Sequence, residues 1–155
     1  MRKDHPGIYI PPPLFYVAIF FIAALFQKWL PIDRDFFHTV ASKVIGTAIM
    51  IMGLFFIVPA IRQFFKTRNT LVTIQPANSL QTLGIYSITR NPMYLSLLLF
   101  YLGLSLLCGS WWTLLLLPIL MLIIQEYVIK REEQYLGRTF GQEYLDYRAK
   151  VRRWI

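Results

Sequence analysis

Four long apolar blocks leave this chain little choice of architecture. Leu14 to Leu30 is the first; Val44 to Ile61 is the second and carries no charge; Met93 to Cys108 is the third. Trp111 to Ile124 is the fourth, and it continues to Ile129 if Gln125 and Glu126 are tolerated. Each approaches the roughly 20 residues that cross about 30 Å of hydrocarbon at about 1.5 Å per residue. The blocks also explain the composition: 56% of residues are hydrophobic and mean hydropathy is +0.49, where a soluble domain holds about 45–50% apolar residues. The expected class is an all-α integral membrane protein with about four transmembrane helices, residues 14–30, 44–61, 93–108 and 111–129. Residues 1–155 are expected to form a single domain, with a loop at 62–92 and an amphipathic helical segment at 130–155.

Arg2 and Lys3 ahead of the first block resemble the start of a cleaved signal. Pro11-Pro12-Pro13 separates charge from apolar run, and Phe26-Gln27-Lys28-Trp29 offers no small-residue cleavage site, so the helix is expected to be retained. A lone cysteine, Cys108, excludes a disulfide framework and is expected as a packing thiol.

The net charge of +8 needs no nucleic acid to explain it. With four spans, both termini and the 62–92 loop share one face, which holds 13 of the 16 Lys and Arg residues; the other face has Lys28, Arg34 and Lys43. That asymmetry predicts cytoplasmic termini, and attraction to anionic lipid accounts for the remaining basic charge. The membrane would be the inner membrane of a prokaryote or the endoplasmic reticulum of a eukaryote.

The loop between the second and third blocks is long for so small a chain, and long loops are often functional. The third and fourth blocks meet at Cys108-Gly-Ser-Trp-Trp112, a hairpin turn whose tryptophans suit a membrane interface. Beyond the fourth block, Ile129, Tyr135, Leu136, Phe140, Tyr144, Tyr147 and Val151 recur at helical spacing among charged residues. Gly137 and Gly141 are expected to interrupt that helix. The segment is expected to fold back over the membrane face, where it can meet the loop.

Those two regions hold the polar groups able to do chemistry. Asn91 is a good N-cap and Pro92 a favoured first helical residue, so the third helix should begin there, with free N–H groups at its positive end. Arg90 adds a fixed charge. The plain alternative is that Asn-Pro only starts a helix while Arg90 reaches lipid phosphates. Glu132 and Glu133 lie at the far end of the hairpin; adjacent carboxylates are usually solvated surface, but here both can face the Arg90 end. A carboxylate there would accept hydrogen bonds from hydroxyls or an ammonium, and Tyr86 and Tyr94 would offer flat faces to an aromatic base or cation. Such a pocket suits a zwitterionic ligand carrying an aryl group.

The run Asn78-Ser-Leu-Gln-Thr-Leu-Gly-Ile-Tyr-Ser-Ile-Thr-Arg-Asn-Pro-Met-Tyr94, followed by Arg131-Glu-Glu-Gln-Tyr-Leu and by Phe140-Gly-Gln-Glu-Tyr-Leu-Asp-Tyr147, resembles the isoprenylcysteine carboxyl methyltransferases and related phospholipid methyltransferases. The resemblance covers residues 70–155, about half the chain. It implies an integral-membrane methyltransferase that uses S-adenosylmethionine. By position, the cofactor contacts fall on Asn78, Leu80, Gln81, Gly84, Tyr86, Asn91, Pro92, Met93, Tyr94 and Glu132. Two departures stand out. Many relatives have histidine where this chain has Asn78 and Asn91, and animal relatives have a substrate-binding arginine where it has Val128, a role left open to Arg90, Lys130 or Arg153.

Transfer from a sulfonium is an in-line displacement of an already activated group, so alignment and exclusion of water matter most. Neither His5 nor His38 lies in the motif, and no metal site is expected. Arg90, Glu133 and Glu126 are the candidate catalytic residues, the two carboxylates as bases for an amine or thiol acceptor; a carboxylate acceptor would need none. The expected partners are the bilayer and a lipophilic or small methyl acceptor, with lipid amine, isoprenoid acid, thiol and protein all open. The competing readings are an NADPH-dependent membrane reductase related to sterol reductases, and a non-enzymatic membrane scaffold.

Overall fold

A computed structural model describes residues 6–66 and 79–155, and among them every regular element is helical. Three prolines, at 11 to 13, fix the start of α1 (Pro12–Trp29), because the ring suits the first turn, where N–H groups have no partner. The short α2 (Asp35–His38) turns the chain into α3 (Val40–Lys66), a 27-residue helix that contains Pro59. A 3-10 turn at Gly84–Ser87 precedes α4 (Pro92–Cys108). The last crossing is one helical run, Trp111–Phe140, made of α5 (Trp111–Leu115), α6 (Leu117–Ile123), a π turn (Ile124–Ile129) and α7 (Lys130–Phe140). α8 (Gln142–Lys150) follows.

Helix α1, α3 and the Trp111–Phe140 run are long and apolar enough to cross a membrane; α4, with 17 residues, is a shorter apolar helix. Their outward faces are greasy: Phe21 is 66% exposed, Ile51 61% and Phe55 63%. Water would penalise such surfaces and hydrocarbon does not, so the chain is a multi-pass membrane protein.

Helix α4 sits at the centre. On one side it lies against α3 at backbone distance: a Cβ at Gly103 would stand 2.5 Å from Met50 Cγ and 2.8 Å from the Gly46 carbonyl oxygen. Ser42 donates its hydroxyl to the Leu106 carbonyl at 2.6 Å, closing the far end of the seam. In lipid, association rests on such close packing and interhelical hydrogen bonds. On the other side, Tyr94, Leu98 and Tyr101 of α4 bury against Tyr16, Ile19 and Ala23 of α1 and against Leu120, Ile124 and Val128 of the last crossing.

Two sequence expectations fail. Gly137 does not break the tail helix: it lies inside α7, and the break comes at Gly141, whose φ of 53° lies in the left-handed region that suits glycine. Cys108 is exposed at the end of α4, because the helix turns its last residue outward.

Candidate functional site

The polar groups gather where α4 begins. Pro92 opens the helix as expected, but the Asn91 side chain does not cap it. Asn91 Nδ2 donates instead to the carbonyl of Arg153, at 2.9 Å. The same carbonyl accepts the Thr89 hydroxyl at 3.2 Å, and the Arg90 N–H donates to the Arg152 carbonyl at 3.0 Å. The C-terminal residues thus run against the turn that precedes α4. A carbonyl acceptor from another segment outcompetes the local cap, which leaves the first amides of α4 without a side-chain acceptor.

Glu132 and Glu133 take separate roles. The π turn before them adds a residue to the helical repeat and so changes which face they occupy; such turns recur at functional sites. Glu132 Oε1 accepts the Tyr94 hydroxyl at 2.7 Å, and Oε2 has no donor among the described residues. The residue is half-buried, and Tyr94 fixes its carboxyl next to that of Glu133. Glu133 is held between two guanidiniums. Arg153 grips both oxygens, Nε to Oε1 at 2.9 Å and Nη2 to Oε2 at 2.8 Å, while Arg90 Nη1 stands 3.1 Å from Oε1. Arg90 Nη1 also donates to the Tyr144 hydroxyl at 3.0 Å, yet its Nε–H is buried with no acceptor among the described residues.

Tyr86 is buried, with its carbonyl accepting the Tyr147 hydroxyl at 2.6 Å and its ring 6.0 Å from Phe64. Its own hydroxyl is pushed well above the usual tyrosine range by burial, with smaller contributions from Tyr147 and Glu132, and the bond from Tyr147 ties it to the α8 face whose Tyr144 meets Arg90. Tyr86, Arg90, Asn91, Pro92, Tyr94, Glu132 and Glu133 therefore share one region.

Met93 borders the site from the α3 side, where it packs against the cluster of Phe56, Ala60, Ile85 and Tyr86. Other candidates stand apart. Gln81 is buried but turns its amide onto Ser79, Leu80 is half-buried beside it, and Gly84 is exposed at φ 64° where the 3-10 turn begins. Asn78 lies outside the described residues. Glu126 is exposed and pairs with Lys130 one helical turn on; no bond joins it to Glu132 or Glu133 among the described residues. Val128, at the position where animal relatives place an arginine, is fully buried against α1.

Sequence reasoning did not place Thr89, Tyr144 or Tyr147 in the site, and it weighed Arg153 only as a replacement for the missing substrate-binding arginine. Tyr144 and Tyr147 lie three residues apart on one buried face of α8, a signal that was visible. No periodicity marks Arg153, because Val151 to Ile155 follow the helix end.

A groove of about 310 Å³ runs down the membrane side of the site, lined by Tyr16, Phe20, Met50, Leu97, Phe100 and Tyr101 among others. It adjoins the polar cluster: Tyr16 donates its hydroxyl to the Tyr94 carbonyl at 3.3 Å, and Leu97 is one helical turn from Tyr94.

A family model described as phospholipid methyltransferase matches residues 41–143. A protein of Haemophilus influenzae with the name "Uncharacterized protein" is 48% identical over 63 residues, which are 41% of this chain and all of that protein. "Protein-S-isoprenylcysteine O-methyltransferase" of Schizosaccharomyces pombe is 36% identical over 72 residues, 46% of this chain; the match spans 30% of the yeast protein's length. No solved structure matches.

Proposed function

This chain belongs to the phospholipid methyltransferase family, and on that premise we propose that it transfers a methyl group from S-adenosylmethionine to a lipophilic acceptor. The single observation that carries the reading is Glu132: a half-buried carboxylate anchored by Tyr94 through one oxygen, with no donor to the other among the described residues. The residues present fit the cofactor's chemistry. Glu132 would take its ammonium or hydroxyls, the aromatic faces of Tyr86 and Tyr94 its adenine or sulfonium, and the uncapped start of α4 with Arg90 its carboxylate. Leu80, Gln81 and Gly84 would border it from the loop. When bound, S-adenosylmethionine supplies an activated methyl group.

The protein's own residues would bind, align and exclude water. Glu133 has both oxygens engaged by arginines and Glu126 pairs with Lys130 at the surface, so the reading assigns the acceptor's proton to neither. Their support is for position and charge. Apolar lining makes the groove between α1, α3 and α4 the natural place for an acceptor's hydrocarbon. With both termini in the cytoplasm, as the basic residues favour, cofactor would arrive from water and acceptor from lipid. Replacing Glu132 with Ala should abolish S-adenosylmethionine binding by the detergent-solubilised protein while leaving its melting temperature within a few degrees; unchanged affinity would remove this site from consideration.

A further inference from the structure

Four contacts converge on the last residues of the chain, and the catalytic reading has no role for them. The carbonyl of Arg153 accepts from Thr89 and Asn91, the carbonyl of Arg152 accepts from the Arg90 N–H, and the Arg153 guanidinium holds both oxygens of Glu133. Trp154 packs against the core shared by α1, α4 and the last crossing. Residues 151–155 therefore form a strap from the end of α8 across the start of α4.

We infer that this strap is a positioning element of the site, with Arg153 as its working residue: it fixes Glu133 from one side and the Thr89–Asn91 turn from the other. The inference rests on reading the site as a cofactor pocket. Its physical basis is a charge balance. Arg90 and Arg153 both face Glu133, so these three side chains carry one surplus positive charge beside the Glu132 carboxyl, and Arg90 keeps a buried Nε–H without an acceptor among the described residues. Arg153 takes both Glu133 oxygens in a two-pronged grip, a geometry that a guanidinium provides and an ammonium does not. With Glu133 so held, Arg90 is kept in register at the start of α4 by the same carboxylate and by Tyr144. Without the Arg153 guanidinium, Glu133 would be left to Arg90 alone, and the backbone carbonyls that accept from Thr89, Arg90 and Asn91 would lose the anchor that holds them across the start of α4. Arg153 thus acts through Glu133 and Asn91, without touching substrate.

The test uses the full chain in detergent, with Arg153→Ala, Arg153→Lys, Glu133→Gln and the double variant Glu133→Gln/Arg153→Ala. Hydrogen–deuterium exchange across residues 84–95, measured without cofactor, reads the strap directly, since the Arg90 amide is bonded to it. S-adenosylmethionine affinity and the split between cofactor KM and kcat read its effect on the site. Arg153→Ala should speed exchange at Arg90 and weaken cofactor binding about tenfold or more, the usual scale for losing a charged hydrogen bond. Arg153→Lys should recover only part of that loss, and the double variant should be no worse than Glu133→Gln. Wild-type exchange and affinity in Arg153→Ala, or losses that multiply in the double variant, would overturn the inference. If the Ala variant does not fold, Arg153→Lys carries the same comparison, because it keeps charge and bulk but not the two-pronged grip. If the wild-type protein binds no S-adenosylmethionine, the functional reading falls, and unchanged exchange in the Arg153 variants would still sink the strap on its own.

Discussion

The two sides of α4 are built on opposite physics. Toward α3 it offers Gly103, and contact with Met50 and the Gly46 carbonyl is so close that no side chain fits. Toward α7, α8 and the strap, its first turn meets a carboxylate pair, two guanidiniums and three tyrosine hydroxyls. The first surface works by shape, in a medium where hydrophobic attraction between helices is absent. The second works by charge and hydrogen bonding, where each group has an assigned partner or a conspicuous lack of one. A membrane protein can use the rigid seam to hold the polar end still, and this is what lets a buried carboxylate persist there.

Substitutions should separate the two surfaces. Gly103→Leu should have the largest effect, because the Gly46 backbone cannot move aside as a flexible side chain could; overpacking costs about 1–3 kcal/mol and more where backbone resists. The expected outcome is loss of monodisperse protein on size-exclusion chromatography, with Gly103→Ala intermediate. Tyr94→Phe should leave the fold intact and weaken S-adenosylmethionine binding about tenfold, since it removes the donor that anchors Glu132. Titration calorimetry against a melting curve distinguishes these outcomes: a variant that melts early and binds normally would reverse the assignment of the two surfaces.

The charge of Glu132 gives a subtler effect. Glu132→Gln keeps the side chain's shape and an oxygen for the Tyr94 hydroxyl but removes the negative charge, so S-adenosylmethionine affinity should fall several-fold with the melting temperature unchanged; wild-type affinity in this variant would assign the cofactor's positive group to another partner. Leu97→Trp should have the smallest effect, a roughly threefold rise in KM for a lipid acceptor with cofactor affinity unchanged, read by steady-state kinetics across acceptor chain lengths.

Much of the architecture was legible because lipid makes it so. Long apolar runs have few options, and Pro92 marks the start of α4 by covalent geometry alone. The seam was less visible: Gly46, Gly53 and Gly103 sit in apolar sequence, and nothing in their neighbours says which faces meet. The site was partly readable. Tyr94, Arg90 and the glutamate pair stood out as polar residues beside apolar runs, but residue pattern alone does not divide the pair, and only the family resemblance set Glu132 on the cofactor and left Glu133 a catalytic candidate. Their division, one to Tyr94 and one to the arginines, depends on the π turn, which no residue pattern announces. Asn91 shows the same limit. Its type suits an N-cap, yet a distant carbonyl claims its amide, and propensity cannot foresee a competitor more than 60 residues away.

The most direct measurement is methyl transfer itself. Wild-type protein and Glu132→Ala, matched for melting temperature, would be incubated with methyl-labelled S-adenosylmethionine and a total membrane extract, and the products separated into lipid, protein and aqueous fractions. Label in the lipid fraction for the wild type, and none above background for Glu132→Ala, is the expected result. Equal labelling by both proteins, or no transfer by a folded wild-type protein, would contradict it.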